Sequence, residues 1–189
     1  MTKIRVVALA LVLVMGFWRL GEGAYVPTKA WLAQALLQQA WQRSTVTELP
    51  QAPWPWADTA PVARLTAPAG GVELIVLAGS SGRTLAFGPG HISGSVLPGE
   101  PGNSVIAGHR DTHFGFLKRL SIGDSLRVER LDGRVLNFRV TGIDVVDSRR
   151  ASLLLDAGTP MLSLVTCYPF GAEEPGGPWR YVVTAEREP

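Results

Sequence analysis

The stretch Ser125-Leu126-Arg127-Val128-Glu129-Arg130-Leu131-Asp132-Gly133-Arg134-Val135-Leu136-Asn137-Phe138-Arg139-Val140 sets the fold class of this chain. Leu126 and Val128 alternate with charged residues before Asp132-Gly133, and Leu136, Phe138 and Val140 alternate with polar ones after it. Alternation of this kind reads as half-buried strands, and Asp-Gly between two such runs is a tight hairpin turn. On either side, short β-type runs are separated by turn residues: Val62–Thr66, Val72–Leu77, Ser104–Ala107, Ser125–Leu131, Val135–Val140, Ile143–Val146, Met161–Thr166 and Trp179–Ala185. Eight short strands at this spacing predict an all-β barrel or sandwich of about 130 residues. Two short helices are expected near Ser81–Ala86 and Phe114–Leu120. No internal repeat is visible, and neither a G-x-G-x-x-G nor a Walker pattern is present to cradle phosphate.

The N-terminal part reads differently. Val6 to Trp18 is uninterrupted apolar sequence, led by Lys3 and Arg5 and followed by Arg19. It is shorter than the ~20 residues of a standard span, and it reaches a workable length through Leu20 if Arg19 snorkels. Gly21-Glu22-Gly23-Ala24 is a poor cleavage site, so residues 1–24 are expected to be a membrane anchor. The leading basic residues keep that end in the cytoplasm and put the rest of the chain outside it. Residues 25–61 follow as a juxtamembrane helix and a linker. The helix is predicted from an N-cap at Thr28 to Arg43, with Ala30, Ala33, Leu37, Ala40 and Trp41 on one face. Leu49 to Pro61 holds four prolines around Trp54 and Trp56 and is expected to be extended, its tryptophans folding back on the domain of residues 62–189.

Composition removes several functions. The chain has one Cys and three His, so neither a disulfide framework nor a cysteine-based metal site is expected, and no metal is assigned. Net charge is +2, with no stripe of basic residues, which gives nucleic-acid binding no footing. Cys167 ends the run Met161–Thr166 just before Tyr168-Pro169-Phe170-Gly171, so it stands at a strand end beside a loop. A lone Cys is otherwise a small buried hydrophobe, and the difference lies in whether a base stands near it. His109 ends the run Ser104–Ala107, while His91 sits in a Gly/Pro turn and His113 precedes a short helix. Composition alone does not choose among the three. Arg180 interrupts an apolar strand and shares its face with Val182 and Thr184. A fork of permanently charged donors there suits a thiolate or a developing oxyanion, and an edge-strand surface Arg would look the same.

Three segments resemble the sortases, membrane-anchored cysteine transpeptidases. Ser163-Leu164-Val165-Thr166-Cys167 is similar to the family's T-L-x-T-C strand, with Ser in place of the first Thr. Asn103-Ser104-Val105-Ile106-Ala107-Gly108-His109-Arg110, preceded by Leu97-Pro98-Gly99-Glu100-Pro101-Gly102, resembles the histidine segment. Arg180, after Gly176-Gly177-Pro178-Trp179, stands where the family has its arginine. The likeness runs from about Ala60 to Ala185, and the one-domain length, the Pro/Trp linker and Asp111-Thr112-His113-Phe114 look most like the class found in Gram-negative bacteria.

The resemblance implies a closed eight-stranded barrel and selects His109 over the other two histidines. It implies Cys167, His109 and Arg180 as catalytic residues, and Thr166 as a substrate-contacting or oxyanion-supporting neighbour. The protein substrate would carry a C-terminal Leu-Pro-x-Thr-Gly-like sorting motif, and the acceptor would be an amine in the cell envelope. The anchor would lie in the inner membrane with the catalytic domain in the periplasm, and no cofactor is needed. In the connection Asp147 to Thr159, Leu153, Leu154 and Leu155 are candidates for the floor of the peptide groove, with core burial the alternative. Glu173-Glu174 could steer an amine or be a solvated turn. Two other functions are compatible with the sequence: a cysteine hydrolase resolving the same thioester with water, and a non-catalytic envelope binding domain.

Overall fold

In the computed structural model the described residues are 5, 15, 28–68, 71–172 and 176–189. The expected membrane anchor, apart from Arg5 and Met15, and Glu173-Glu174 lie outside them. Among the described residues no helix is long and apolar enough to cross a membrane.

The Asp132-Gly133 hairpin forms as expected between β5 (Ser125–Arg130) and β6 (Val135–Asp147), pairing Leu126 with Phe138 and Val128 with Leu136. Gly133 takes a positive φ of 76°, which a side chain would strain, and the Arg130 N–H closes the turn on the Arg134 carbonyl at 2.9 Å. The alternating apolar residues Leu126, Val128, Leu136, Phe138 and Val140 all point inward and are buried. The other strands are β1 (Pro61–Ala67), β2 (Val72–Ala78), β3 (Gly90–His91), β4 (Gly102–Ala107), β7 (Pro160–Cys167) and β8 (Trp179–Arg187). They close a barrel in the order β1-β2-β3-β4-β7-β8-β6-β5, with Leu65, Ile106, Phe114, Phe138, Leu164 and Val183 among its core.

The strand number matches the eight expected, but two differences cancel. Val135–Val140 and Ile143–Val146 are one strand, because the Thr141-Gly142 break is a register shift and not an end. β6 pairs with β5 over Val135–Arg139 and with β8 from Phe138 to Asp147, on both sides of the shift, so one bent strand serves two neighbours. The unexpected strand is β3, two residues long and parallel to β2. A Cβ at Gly90 would lie 2.1 Å from the Gly79 carbonyl oxygen, so only glycine lets these backbones approach.

The short helices are found as α2 (Gly82–Leu85), capped by the Ser81 hydroxyl, and a 3-10 helix, Gly115–Arg119. A longer helix, α1, is described over residues 28–47. Thr28, its first described residue, is helical rather than the cap. It runs past Arg43, and in its last turn the hydroxyls of Thr45 and Thr47 donate to the carbonyls of Gln42 and Arg43.

The chain divides into compact units 1–36 and 37–189, so the second unit takes in part of α1 as well as the barrel. Within it Leu37 and Trp41 pack on Ile75 and Leu77, a burial worth about 2 kcal/mol for the leucine alone. The Arg64 guanidinium carbon stands 5.0 Å over the Trp41 ring, and its Nη1 lies 3.6 Å from Glu73 and 3.7 Å from Glu129. The proline-rich segment is held to the same surface. Trp54 meets Phe87 edge-on at 5.0 Å, and the Thr59 hydroxyl donates to the Ala78 carbonyl at 2.7 Å. Trp56 departs from the expectation: it is 83% exposed.

Candidate functional site

The site is built on β7, which runs parallel to β4 and antiparallel to β8. The last β4–β7 pair is Ala107 with Val165. His109 and Cys167 are each two residues further on, so parallel register carries them to the same level of neighbouring strands. Two bonds extend the pairing to that level: the Gly108 N–H donates to the Val165 carbonyl at 3.1 Å, and the Thr166 hydroxyl donates to the Gly108 carbonyl at 2.7 Å. On the other side Cys167 is the antiparallel partner of Arg180. Register thus brings Cys167, His109 and Arg180 to one end of three neighbouring strands.

Strand alternation decides which way each side chain faces. Leu162 and Leu164 point into the core, and Thr166 is buried with them at 2% exposure. Its hydroxyl donates to the Gly108 carbonyl, so the side chain expected to contact substrate or support the oxyanion ties β7 to β4 beneath His109. Val165 faces outward with Val182, Thr184 and Arg180, and they line a groove of about 500 Å³. Loop residues Leu153 and Leu155 form part of the same groove, together with Asp144. Leu154 does not line it: its side chain is 70% exposed, and its carbonyl accepts the Asn103 side-chain N–H at 3.0 Å. The Asn103 backbone N–H bonds the Leu155 carbonyl at 2.8 Å, so the leucine segment is pinned to the start of β4. Two of the three expected leucines therefore reach the groove, and none is core.

The three histidines separate by surroundings. His91 is buried, with Nε2 2.8 Å from the Val96 carbonyl and 3.2 Å from the Ser95 hydroxyl, which is a structural role. His113 is half-buried, and its Nδ1 lies 3.3 Å from the Thr112 hydroxyl. Burial first, and the charge of His109 second, hold its pKa below the ordinary 6.5. His109 is exposed beside the half-buried Cys167, as a proton carrier must be. Its loop turns back sharply: the Phe114 N–H bonds the His109 carbonyl at 3.0 Å, and the buried Phe114 ring fills the place a Cβ on Gly108 would need, 2.7 Å away.

Arg180 does not touch the sulfur. Its Nη1 donates to the Gly177 carbonyl at 2.8 Å and the Trp179 carbonyl at 2.9 Å, both in its own segment. The residue that sequence reasoning passed over is Arg110. Its side chain is 6% exposed and forks onto Asp111, Nε to Oδ1 at 2.9 Å and Nη2 to Oδ2 at 3.1 Å. The same guanidinium donates to the carbonyls of Pro169 at 2.6 Å and Ala172 at 2.9 Å, in the loop that leaves Cys167. The hydrogen bond raises the Arg110 pKa and lowers that of Asp111, so both stay ionised. A charged pair directly after His109 was a readable signal, whereas its partners 59 and 62 residues away were not. Tyr168, Phe170 and Tyr181 complete the surroundings as a ring cluster, with Tyr181 5.0 Å from Phe170 and 6.2 Å from Tyr168.

Comparison with known proteins bears on this arrangement. Residues 65–188 match the family model described as Sortase domain. Sortase D of Bacillus subtilis is 34% identical over 116 residues, 61% of this chain and 58% of that protein, so this chain spans little more than half of that relative. Sortase C-1 from Actinomyces oris is 37% identical, with a TM-score of 0.61 over 68% of this chain and 75% of that one. A Clostridium perfringens Sortase D5 transpeptidase superposes with a TM-score of 0.67 over 84% of this chain and 99% of that one, and at 22% identity this is a likeness of fold. These relatives come from Gram-positive organisms and carry the designations C and D, not the Gram-negative class expected from the sequence. The family model covers most of the chain, and the closed barrel agrees with the solved structures: the protein belongs to the sortase family.

Proposed function

We propose that the protein is a cysteine transpeptidase that cleaves a sorting motif near the C-terminus of a protein substrate and transfers the acyl fragment to an amine. The observation that carries this reading is the register of β4, β7 and β8, which sets Cys167 between His109 and Arg180. The Cys167 thiolate attacks the backbone carbonyl carbon of the motif, and its electron pair forms the C–S bond while the carbonyl oxygen becomes an oxyanion. Arg180, released from the Gly177 and Trp179 carbonyls, donates to that oxygen or to the peptide. Collapse breaks the C–N bond, and protonated His109 gives its proton to the leaving amine. The incoming amine then attacks the thioester, His109 takes its proton, and the thiolate leaves. No cofactor takes part.

The groove of about 500 Å³ suits an extended peptide, with Leu153 and Leu155 as its apolar side. Thr166 supports the site from below rather than by touching substrate. A Leu-Pro-x-Thr-Gly-like motif, an acceptor amine in the cell envelope and an anchor in residues 1–24 come from the family likeness and the apolar N-terminal run. On the same grounds the catalytic domain faces the periplasm, outside the inner membrane. The Pro/Trp linker and Asp111-Thr112-His113-Phe114 support the Gram-negative class, while the C and D designations of the relatives weigh against it.

The test is a labelled motif peptide incubated with the full chain, with and without a primary amine. Transpeptidation gives an amine-dependent product, abolished in Cys167→Ala and reduced at least 10²-fold in His109→Ala. Cleaved peptide alone, whatever the amine, would show a hydrolase. Unchanged product in Cys167→Ala would end the enzyme reading.

A further inference from the structure

Two guanidinium groups stand beside Cys167, and they are held in opposite ways. Arg180 is half-exposed and bonded to backbone carbonyls of its own segment. Arg110 is almost fully buried, four of its donor contacts are satisfied, and two of those reach the loop that leaves the nucleophile. Sequence and hydrogen bonding put the pair next to both reacting groups: Arg110 and Asp111 directly follow His109, and Arg110 bonds the loop that directly follows Cys167.

We propose that Arg110 and Asp111 are the positioning pair of the active site: Arg110 fixes the loop after Cys167 and supplies a standing positive charge to the thiolate, and Asp111 supplies the matching negative charge to protonated His109. Burial makes the Arg110 charge effective, because a buried group is screened far less than one in solvent, whereas Asp111 is exposed. A planar fork suits the task, since it serves a carboxylate and two carbonyls together where an ammonium could not. Arg180 is then left for the substrate and the oxyanion.

Among the described residues, three other titratable groups come from the segments around Cys167 and His109, besides Arg180. His113 comes from the same loop as His109, its pKa held down by burial first and by His109 second. Tyr181 comes from β8, its pKa raised by burial first and by Tyr168 second, so its phenol stays neutral at working pH. Tyr168 follows Cys167 itself, and Arg180 comes from β8.

The proposal rests on Cys167 as the nucleophile, so its test reads the thiol without needing turnover. The rate of Cys167 alkylation by iodoacetamide is followed against pH in the full chain and in Arg110→Met, Arg110→Lys, Asp111→Asn and Arg180→Met, with circular dichroism of each. Arg110→Met is expected to slow alkylation about three- to tenfold at pH 7 and move the profile to higher pH. Arg180→Met should leave the profile in place. Arg110→Lys keeps the charge and loses the fork, so its profile stays near the parent while turnover falls. Asp111→Asn leaves alkylation within about twofold and moves the acid–base limb assigned to His109 to lower pH. A well-folded Arg110→Met with the parent profile, or an Arg180→Met shift as large as that of Arg110→Met, would overturn it. If Arg110→Met does not fold, Arg110→Lys with a profile displaced as far as tenfold overturns it instead. A parent thiol unreactive at every pH would sink the proposed function, whereas a reactive one indifferent to Arg110 sinks only this pair.

Discussion

The two walls of the cleft around Cys167 are built on different terms. On the β4 wall the Gly108 carbonyl is bonded to Thr166, the His109 carbonyl to the Phe114 N–H, and Arg110 to Asp111, Pro169 and Ala172. On the β8 wall Arg180 holds two carbonyls of its own segment beside an open groove lined by Val182, Thr184, Leu153 and Leu155. The proposed proton carrier and nucleophile are thus preorganised, and the side proposed to admit a peptide keeps its donors near solvent. The sharpest way to break this comparison is Arg180→Ala. Turnover of the motif peptide should fall on the order of 10²–10³-fold, the usual loss for an oxyanion donor. The melting temperature should barely move, because the Gly177 and Trp179 carbonyls it releases can turn to water. A large loss of melting temperature would make the β8 wall structural after all.

Thr166→Val is the converse test on the β4 wall. Valine keeps the shape and removes the donor, leaving the Gly108 carbonyl oxygen without its partner in a buried place. That costs about 1–3 kcal/mol, read as a lower urea midpoint at unchanged slope. Turnover should fall by about tenfold or less, since His109 is displaced rather than removed. If stability holds and only KM rises, the hydroxyl meets the substrate, as the sequence motif first suggested.

What could be read in advance follows from how local each feature is. The Asp132-Gly133 hairpin, the capped turn at Ser81 and the strand ending at Cys167 depend on neighbours in sequence, and all were legible. β3 was not, because two residues carry no periodicity and Gly90 is there for the approach of Gly79. The join of two expected strands into β6 was hidden by Gly142, which reads as a break until β8 is there to pair with the second half. Cys167 and Arg180 stood out from the residues themselves, while the choice of His109 came from family likeness, since residues alone left His91, His109 and His113 open. Parallel register carries His109 level with Cys167, whereas His91 lies in β3 with its ring bonded to the Val96 carbonyl. Arg110 was missed because its value lies in two carbonyls far along the chain. Leu154 shows the same limit: three adjacent leucines cannot all face one groove.

The smallest expected effect lies at the edge of the β4 wall, in His113. Its pKa is lowered in the folded protein, by burial first and then by the charge of His109. The unfolded chain therefore binds this proton more readily, and folding is favoured as pH rises. The stabilisation is complete above the ordinary 6.5 and is lost as pH falls through the lower folded value. Urea midpoints at pH 5 and pH 8 should accordingly lie closer together in His113→Gln than in the parent chain. His109→Ala should narrow the same gap in part, since it removes the second cause and leaves burial. A gap that His113→Gln leaves untouched would mean that His113 is not held neutral in the folded chain, and that the β4 wall carries a mobile second proton beside His109.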